Sequence, residues 1–238
     1  MFASVNPVAG TQPFNDWFAP DTVQRHLLGL NITAVDSFWG QGEFMYVKSN
    51  DAILKGSVCM WDEVFNAALL PSAVTQGFPF GVAMAPMASG TYGWIQLAGR
   101  AVYKTNATVA ADGVLAIAAA GILGATATGK QVMGIRNRIA ATGTKTFTAN
   151  TQSGNGVLFV PGGYDGAFLG MALSGTGIPA STVVAGLDPD GKRIYTGSAI
   201  GTLGDKNSTA TGQITLTGTY TGYGSGVMNS PCCMQIVT

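Results

Sequence analysis

An all-β fold is predicted for this 238-residue chain: a small antiparallel barrel or sandwich domain with an extended N-terminal arm and a second, inserted β module. Three observations predict it. Short runs of branched and aromatic residues recur between Gly, Asp-Gly and Thr-Gly signals, the spacing of strands and turns rather than of alternating β and α units. The composition turns to Thr, Gly and Ser at about Thr142, and apolar character returns from Pro231 to Thr238. Pro7, Pro13 and Pro20 punctuate the first 39 residues and exclude a long helix there.

Residues 1–39 therefore read as an irregular arm carrying Phe2, Phe14, Trp17 and Phe18, with Trp39 at its end. Large apolar side chains on such a segment gain little unless they dock, either on their own domain or on a neighbouring subunit. From Gly42 the chain changes character. Phe44, Tyr46 and Val47 predict one strand, and Ala52-Ile53-Leu54 leading to Val58 predict a second beyond the Ser49-Asn50-Asp51 turn. A short helical or irregular piece is expected over Asp62 to Leu70, ended by Pro71. Further strands are expected at Phe80–Met84, Tyr92–Leu97, Ala101–Tyr103, Val114–Ile117 and Val132–Ile139. The second module carries expected strands at Val157–Val160, Phe168–Leu173, Ser181–Ala185, Arg193–Thr196 and Gln213–Thr219, with Asp188-Pro189-Asp190-Gly191 as a hairpin turn. The expected organisation is an arm over 1–39, a first domain over 40–146 completed by 226–238, and an inserted, outward-facing module over 147–225.

Composition restricts function. Twelve Lys and Arg balance twelve Asp and Glu, and 47% of the residues are hydrophobic. A folded surface of roughly 10,000 Å² then carries about one charge per 400 Å², sparse for a soluble monomer. Another protein subunit is the expected cover, so a homo-oligomer is predicted. Scattered basic residues without a run argue against nucleic acid. The longest uncharged stretch, Gly113 to Gly129, is too rich in Ala, Gly and Thr to enter lipid well, so no membrane partner is expected. The first basic residue is Arg25, which does not fit a signal peptide, and the mature protein is expected to begin near Met1. Cys59, Cys232 and Cys233 suit a reducing cytoplasm rather than a disulfide framework.

Motifs that would carry chemistry are incomplete. Gly124 to Lys130 has the spacing of a phosphate-binding loop, but Gln131 stands where Ser or Thr should hold magnesium, so a turn is expected. Gly175-Thr176-Gly177-Ile178-Pro179-Ala180 precedes a predicted strand instead of the helix a dinucleotide site requires. Asp188, Asp190 and Gly191 lack the downstream Glu of a calcium loop. His26 is the sole histidine, and no Gly-X-Ser-X-Gly elbow accompanies it. Asp62-Glu63, the one adjacent acidic pair, reads as a solvated turn or cap, because sequence neighbours do not face each other across a substrate. Cys232-Cys233 reads as buried thiols beside Met234 and Ile236. No catalytic residue, cofactor or metal is expected.

The segments His26-Leu27-Leu28-Gly29, Gly42 to Lys48, Gly56-Ser57-Val58, Gly81 to Met84 and, above all, Thr91-Tyr92-Gly93-Trp94-Ile95-Gln96-Leu97-Ala98-Gly99-Arg100-Ala101 resemble capsid decoration (cement) proteins of tailed bacteriophages. The resemblance covers roughly half of the chain. It implies a β-tulip or barrel with an N-terminal arm, clustered on the capsid exterior of the virion and clamping neighbouring major capsid proteins after assembly in the host cytoplasm. The region from Phe168 to Thr217 looks like a short β module of several phage surface proteins. The expectation is therefore a non-enzymatic cement protein, a homo-oligomer and most simply a trimer. Phe2, Phe14, Trp17, Phe18, Trp39, Tyr92 and Trp94 are the expected capsid or subunit interface. The alternative is a head fibre or tail-associated adhesin whose second module binds a host cell-surface glycan, and a hydrolase using His26 is a third.

Overall fold

A computed structural model describes residues 3–4, 19–36, 40–72, 79–125, 130–164, 166–188 and 191–234. Among these residues the regular structure is β throughout. In chain order the strands are β1 (Ala3–Ser4), β2 (Asn31–Asp36), β3 (Gly40–Ser49), β4 (Val58–Trp61), β5 (Asn66–Leu69), β6 (Gly81–Ala83), β7 (Tyr92–Lys104), β8 (Leu115–Ala119), β9 (Ile122–Ala125) and β10 (Gln131–Ile135). They continue with β11 (Thr142–Thr151), β12 (Val157–Phe159), β13 (Ala172–Gly175), β14 (Thr182–Leu187), β15 (Arg193–Gly197), β16 (Gly212–Thr221) and β17 (Tyr223–Met234). The chain divides into two compact units, Phe2–Ala141 with Thr221–Thr238, and Thr142–Tyr220.

The larger unit is one eleven-stranded sheet, ordered β1-β2-β3-β5-β4-β6-β7-β17-β10-β8-β9. A further pairing of β3 with β7, from Gly42↔Gly99 to Lys48↔Tyr92, bends the sheet onto itself and closes a ring of β3, β5, β4, β6 and β7. Both faces of β3 are thereby buried. Met45 and Val47 pack with Ile53, Cys59, Ala67, Ala83, Met87 and Ile95. Phe44 and Tyr46 point the other way, toward Ile32, Ala34, Met84 and Trp94. This explains why Phe44-Met45-Tyr46-Val47 is an unbroken apolar run, since alternation is lost where neither face meets water. A third cluster, including Phe80, Val82, Tyr103, Leu115, Leu123 and Met228, supports the far half of β7 and β17.

The smaller unit is a closed barrel, ordered β11-β12-β15-β14-β13-β16. Phe147, Ala149, Leu158, Leu173, Ile194, Ile214 and Leu216 are buried at alternate positions along its strands. The period of two is that of strands with one face in a core and one in water.

Several elements differ from the sequence-based expectation. Asp62 to Leu70 is not helical: Asp62 closes a tight turn and Asn66–Leu69 becomes β5, antiparallel to β4 and parallel to β3. Ile53 contributes an isolated bridge to Met87 instead of a strand. The arm is not irregular throughout, because Asn31–Asp36 pairs along its whole length with β3. The two strands expected over Tyr92–Leu97 and Ala101–Tyr103 are one, β7, and β9 and β11 form where the sequence pattern predicts no strand. β17 returns to the larger unit between β7 and β10.

Candidate functional site

One group of polar and aromatic side chains in the larger unit converges where residues 21–30 cross β3 and β7. Asp21 and Tyr92 exchange both backbone hydrogen bonds, at 2.8 and 2.9 Å. Farther along, the Gly29 amide donates to the Tyr46 carbonyl at 2.8 Å and the Tyr46 amide to the Leu30 carbonyl at 3.0 Å. The segment is thus fastened at both ends by main-chain contacts.

Between these fastenings lies a polar and aromatic latch. The Tyr46 hydroxyl, inside the sheet's covered face, donates to Asp21 Oδ2 at 2.7 Å. Arg25 Nε lies 3.1 Å from Asp21 Oδ1, and the Arg25 amide donates to the Tyr46 hydroxyl at 3.3 Å. Burial, then the hydrogen bond to Asp21, pushes the Tyr46 hydroxyl well above its ordinary range. It therefore remains a protonated donor throughout the neutral range. His26 stands edge-on to Tyr46, with ring centroids 4.9 Å apart, and 5.4 Å from Trp94. Tyr46 also meets Trp94 at 5.1 Å and stacks parallel to Tyr92 at 6.3 Å. Offset and edge-on aromatic pairs of this kind add about 0.5–1.5 kcal/mol each beyond area burial.

Tyr92 and Trp94, two of the expected interface residues, are thus placed against the chain's own N-terminal segment, with Trp94 only 4% exposed. Phe2, Phe14, Trp17, Phe18 and Trp39 lie outside the described residues. No local sequence signal groups Asp21, Arg25 and Tyr46, because an i,i+4 acid–base spacing pairs side chains on a helix and residues 21–25 form none.

Replacing Asp21 by Ala removes the acceptor for the Tyr46 hydroxyl and one partner of a half-exposed Arg25. The expected loss is about 2 kcal/mol, below the range for fully buried pairs because Arg25 keeps solvent. Hydrogen exchange over residues 19–30 should accelerate while the core strands stay protected. Unchanged exchange there would mean that the main-chain fastenings suffice alone.

The other motifs take structural places. Asp62 Oδ1 accepts the Val64 and Asn66 amides at 3.0 and 2.8 Å, and Oδ2 accepts the Asn66 side chain at 2.9 Å. Those Asn66 bonds hold the Asp62 carboxyl below its usual range. Gly124 and Ala125 end β9, and Gln131 begins β10, so a strand stands where a phosphate loop requires a helix. Gly175 to Ala180 joins the antiparallel strands β13 and β14. Asp188 Oδ2 accepts the Tyr195 hydroxyl and faces Arg193, a cationic neighbour unlike a calcium loop's. Cys59 is buried, and burial pushes its thiol up to about 12. Cys232 and Cys233 lie in β17, paired with Met133 and Val132 of β10. Among the described residues no three His, Cys, Asp or Glu side chains are grouped to hold a metal, and no helix is long and apolar enough to cross a membrane.

Comparison of the chain with protein-family models, with curated proteins and with solved structures finds no match in any of the three.

Proposed function

We propose that this chain is a virion structural protein that decorates and cements the outer surface of a bacteriophage capsid, acting by binding and not by catalysis. In this reading copies of the chain associate, as a trimer, and bridge neighbouring major capsid proteins. The observation that carries it is the surface of the larger unit. Val23, Leu27, Leu54, Val64 and Val227 are each more than half exposed, at 72, 77, 56, 62 and 61%. Single exposed aliphatics are ordinary. Five of them on a chain with only 24 charged residues of 238 leave a surface better matched to protein than to water.

The latch around Asp21 supports the same reading, because Val23 and Leu27 lie within the fastened segment and are held outward in a fixed geometry. Preorganised apolar contacts lose less conformational entropy on docking than a free arm does. A shell under pressure from packaged DNA gains from many such contacts across subunit seams.

The test is co-sedimentation of the purified chain with phage heads stripped of their decoration proteins. Saturable binding is expected, with a Val23→Asp, Leu27→Asp double substitution weakening it at least tenfold. Absence of saturable binding to heads on which the chain's own phage assembles would overturn the proposal.

A further inference from the structure

The outer face of the barrel carries a second arrangement of side chains. β12 pairs with β15 in the register Val157↔Tyr195 and Phe159↔Arg193, and β15 with β14 in the register Gly186↔Tyr195. The Asp188 amide donates to the Arg193 carbonyl at 3.0 Å, extending that ladder by one pair. Leu158, Ile194 and Leu187 point into the barrel, so these partners point outward in two rows. One row is Phe159, Arg193 and Asp188. The other is Val157, Tyr195 and Gly186. With strands about 4.8 Å apart, each row spans roughly 10 Å, the length of a disaccharide.

The chemistry of the rows is mixed in a particular way. Phe159 is 40% exposed, an apolar ring offered to solvent beside the charged Arg193 of the neighbouring strand. Beside it the Tyr195 hydroxyl donates to Asp188 Oδ2 at 2.8 Å, and Arg193 Nη1 lies 3.4 Å from the same oxygen. The Tyr164 hydroxyl holds the Asp188 carbonyl, and the Tyr164 amide donates to Gly191 at 3.1 Å, so the hairpin bearing these groups is braced. Gly186 has no side chain, and Leu203 reaches over it against Tyr195.

We propose that this face, with Phe159 as stacking platform and the Asp188–Arg193 pair as hydroxyl clamp, binds a neutral pyranose saccharide. A sugar ring presents an apolar C–H face to an aromatic ring and adjacent hydroxyls at its rim. A fixed carboxylate beside a guanidinium offers acceptors and donors together, matching hydroxyls that both donate and accept. The pair is formally neutral, so the clamp itself adds no net attraction for an anionic chain. Phe159 and Leu203, 40 and 56% exposed, together still offer far less apolar surface than a protein interface, which buries about 800 Å² per side. The inference concerns the barrel by itself and does not depend on the shell-binding reading.

The experiment is saturation-transfer NMR on the full chain with maltohexaose, cellohexaose, β-1,4-mannohexaose and chitohexaose, and with hexagalacturonic acid as the anionic comparison. Transfer to at least one neutral oligosaccharide is expected, falling at least fivefold in Phe159→Ala and in Arg193→Ala. Phe159→Tyr keeps a ring and should retain it, which separates loss of stacking from loss of fold. Co-sedimentation with phage heads should be the same for Phe159→Ala as for the unaltered chain. No transfer from any neutral oligosaccharide, equal transfer to the anionic one, or transfer unaffected by both alanine substitutions would each overturn the proposal.

Discussion

Excision of Thr142–Tyr220, with Ala141 joined to Thr221 through two glycines, is expected to leave the larger unit folded and able to bind phage heads. The reason lies in where the chain departs and returns. The Ala141 carbonyl accepts the Gly222 amide at 2.8 Å and lies 3.4 Å from the Tyr223 amide, so the two ends are already bonded to each other. No strand of the eleven-stranded sheet is cut by the excision, whereas all six strands of the barrel are removed. Insertions at such adjacent ends are tolerated because the host fold does not depend on them. Circular dichroism should retain a cooperative β transition, and saturation transfer to neutral oligosaccharides should vanish. A shortened chain that folds but no longer sediments with heads would place the barrel within the shell contact.

The second large effect is expected at Gly226 in β17. A Cβ there would stand 2.1 Å from the Arg136 carbonyl oxygen, a backbone atom that no rotamer change can move aside. Gly226 is buried and pairs with Ala101 of β7, while the neighbouring Ser225 carbonyl accepts the Arg138 amide at 2.7 Å. Gly226→Ala must therefore displace β17 from the chain beyond β10, at a cost on the order of 3 kcal/mol. For a unit of this size that lowers the melting temperature by roughly 6–12 °C. Gly90→Ala is the contrast. Gly90 has φ of 84° but nothing within 4 Å of the added carbon, so only the backbone conformation is penalised, at about 1 kcal/mol. Equal melting temperatures for the two variants would show that the close approach at Gly226 relaxes freely.

The candidate sites were legible in fragments. Tyr92 and Trp94 stood out as aromatics in a strand pattern, and His26 as the sole histidine, but nothing local linked them to Asp21 or Tyr46. Asp21 and Tyr46 are 25 residues apart, and their hydrogen bond exists because the arm crosses β3. On the barrel, the sequence marks Asp188 only as a turn residue and Phe159 only as part of a strand. Their adjacency depends on the β12–β15–β14 register, which a one-residue slip would reverse.

By itself the sequence determined that the chain is all-β, because short branched and aromatic runs and the turn residues that bound them act over a few neighbours and survive any choice of partner strand. Phe44 to Val47, Tyr92 to Leu97 and Arg193 to Thr196 are strands on those grounds alone. Only the tertiary structure decided the rest. Asn66–Leu69 is a strand because β4 and β3 both offer it an edge, and Thr142–Thr151, with Phe147 its only large apolar side chain, is one because the barrel closes through it. The parallel β3–β5 contact and the β3–β7 closure join segments separated along the chain by other elements. Pairings of that range are selected by the burial they complete and not by local preference, so they become visible only once the whole sheet is in place.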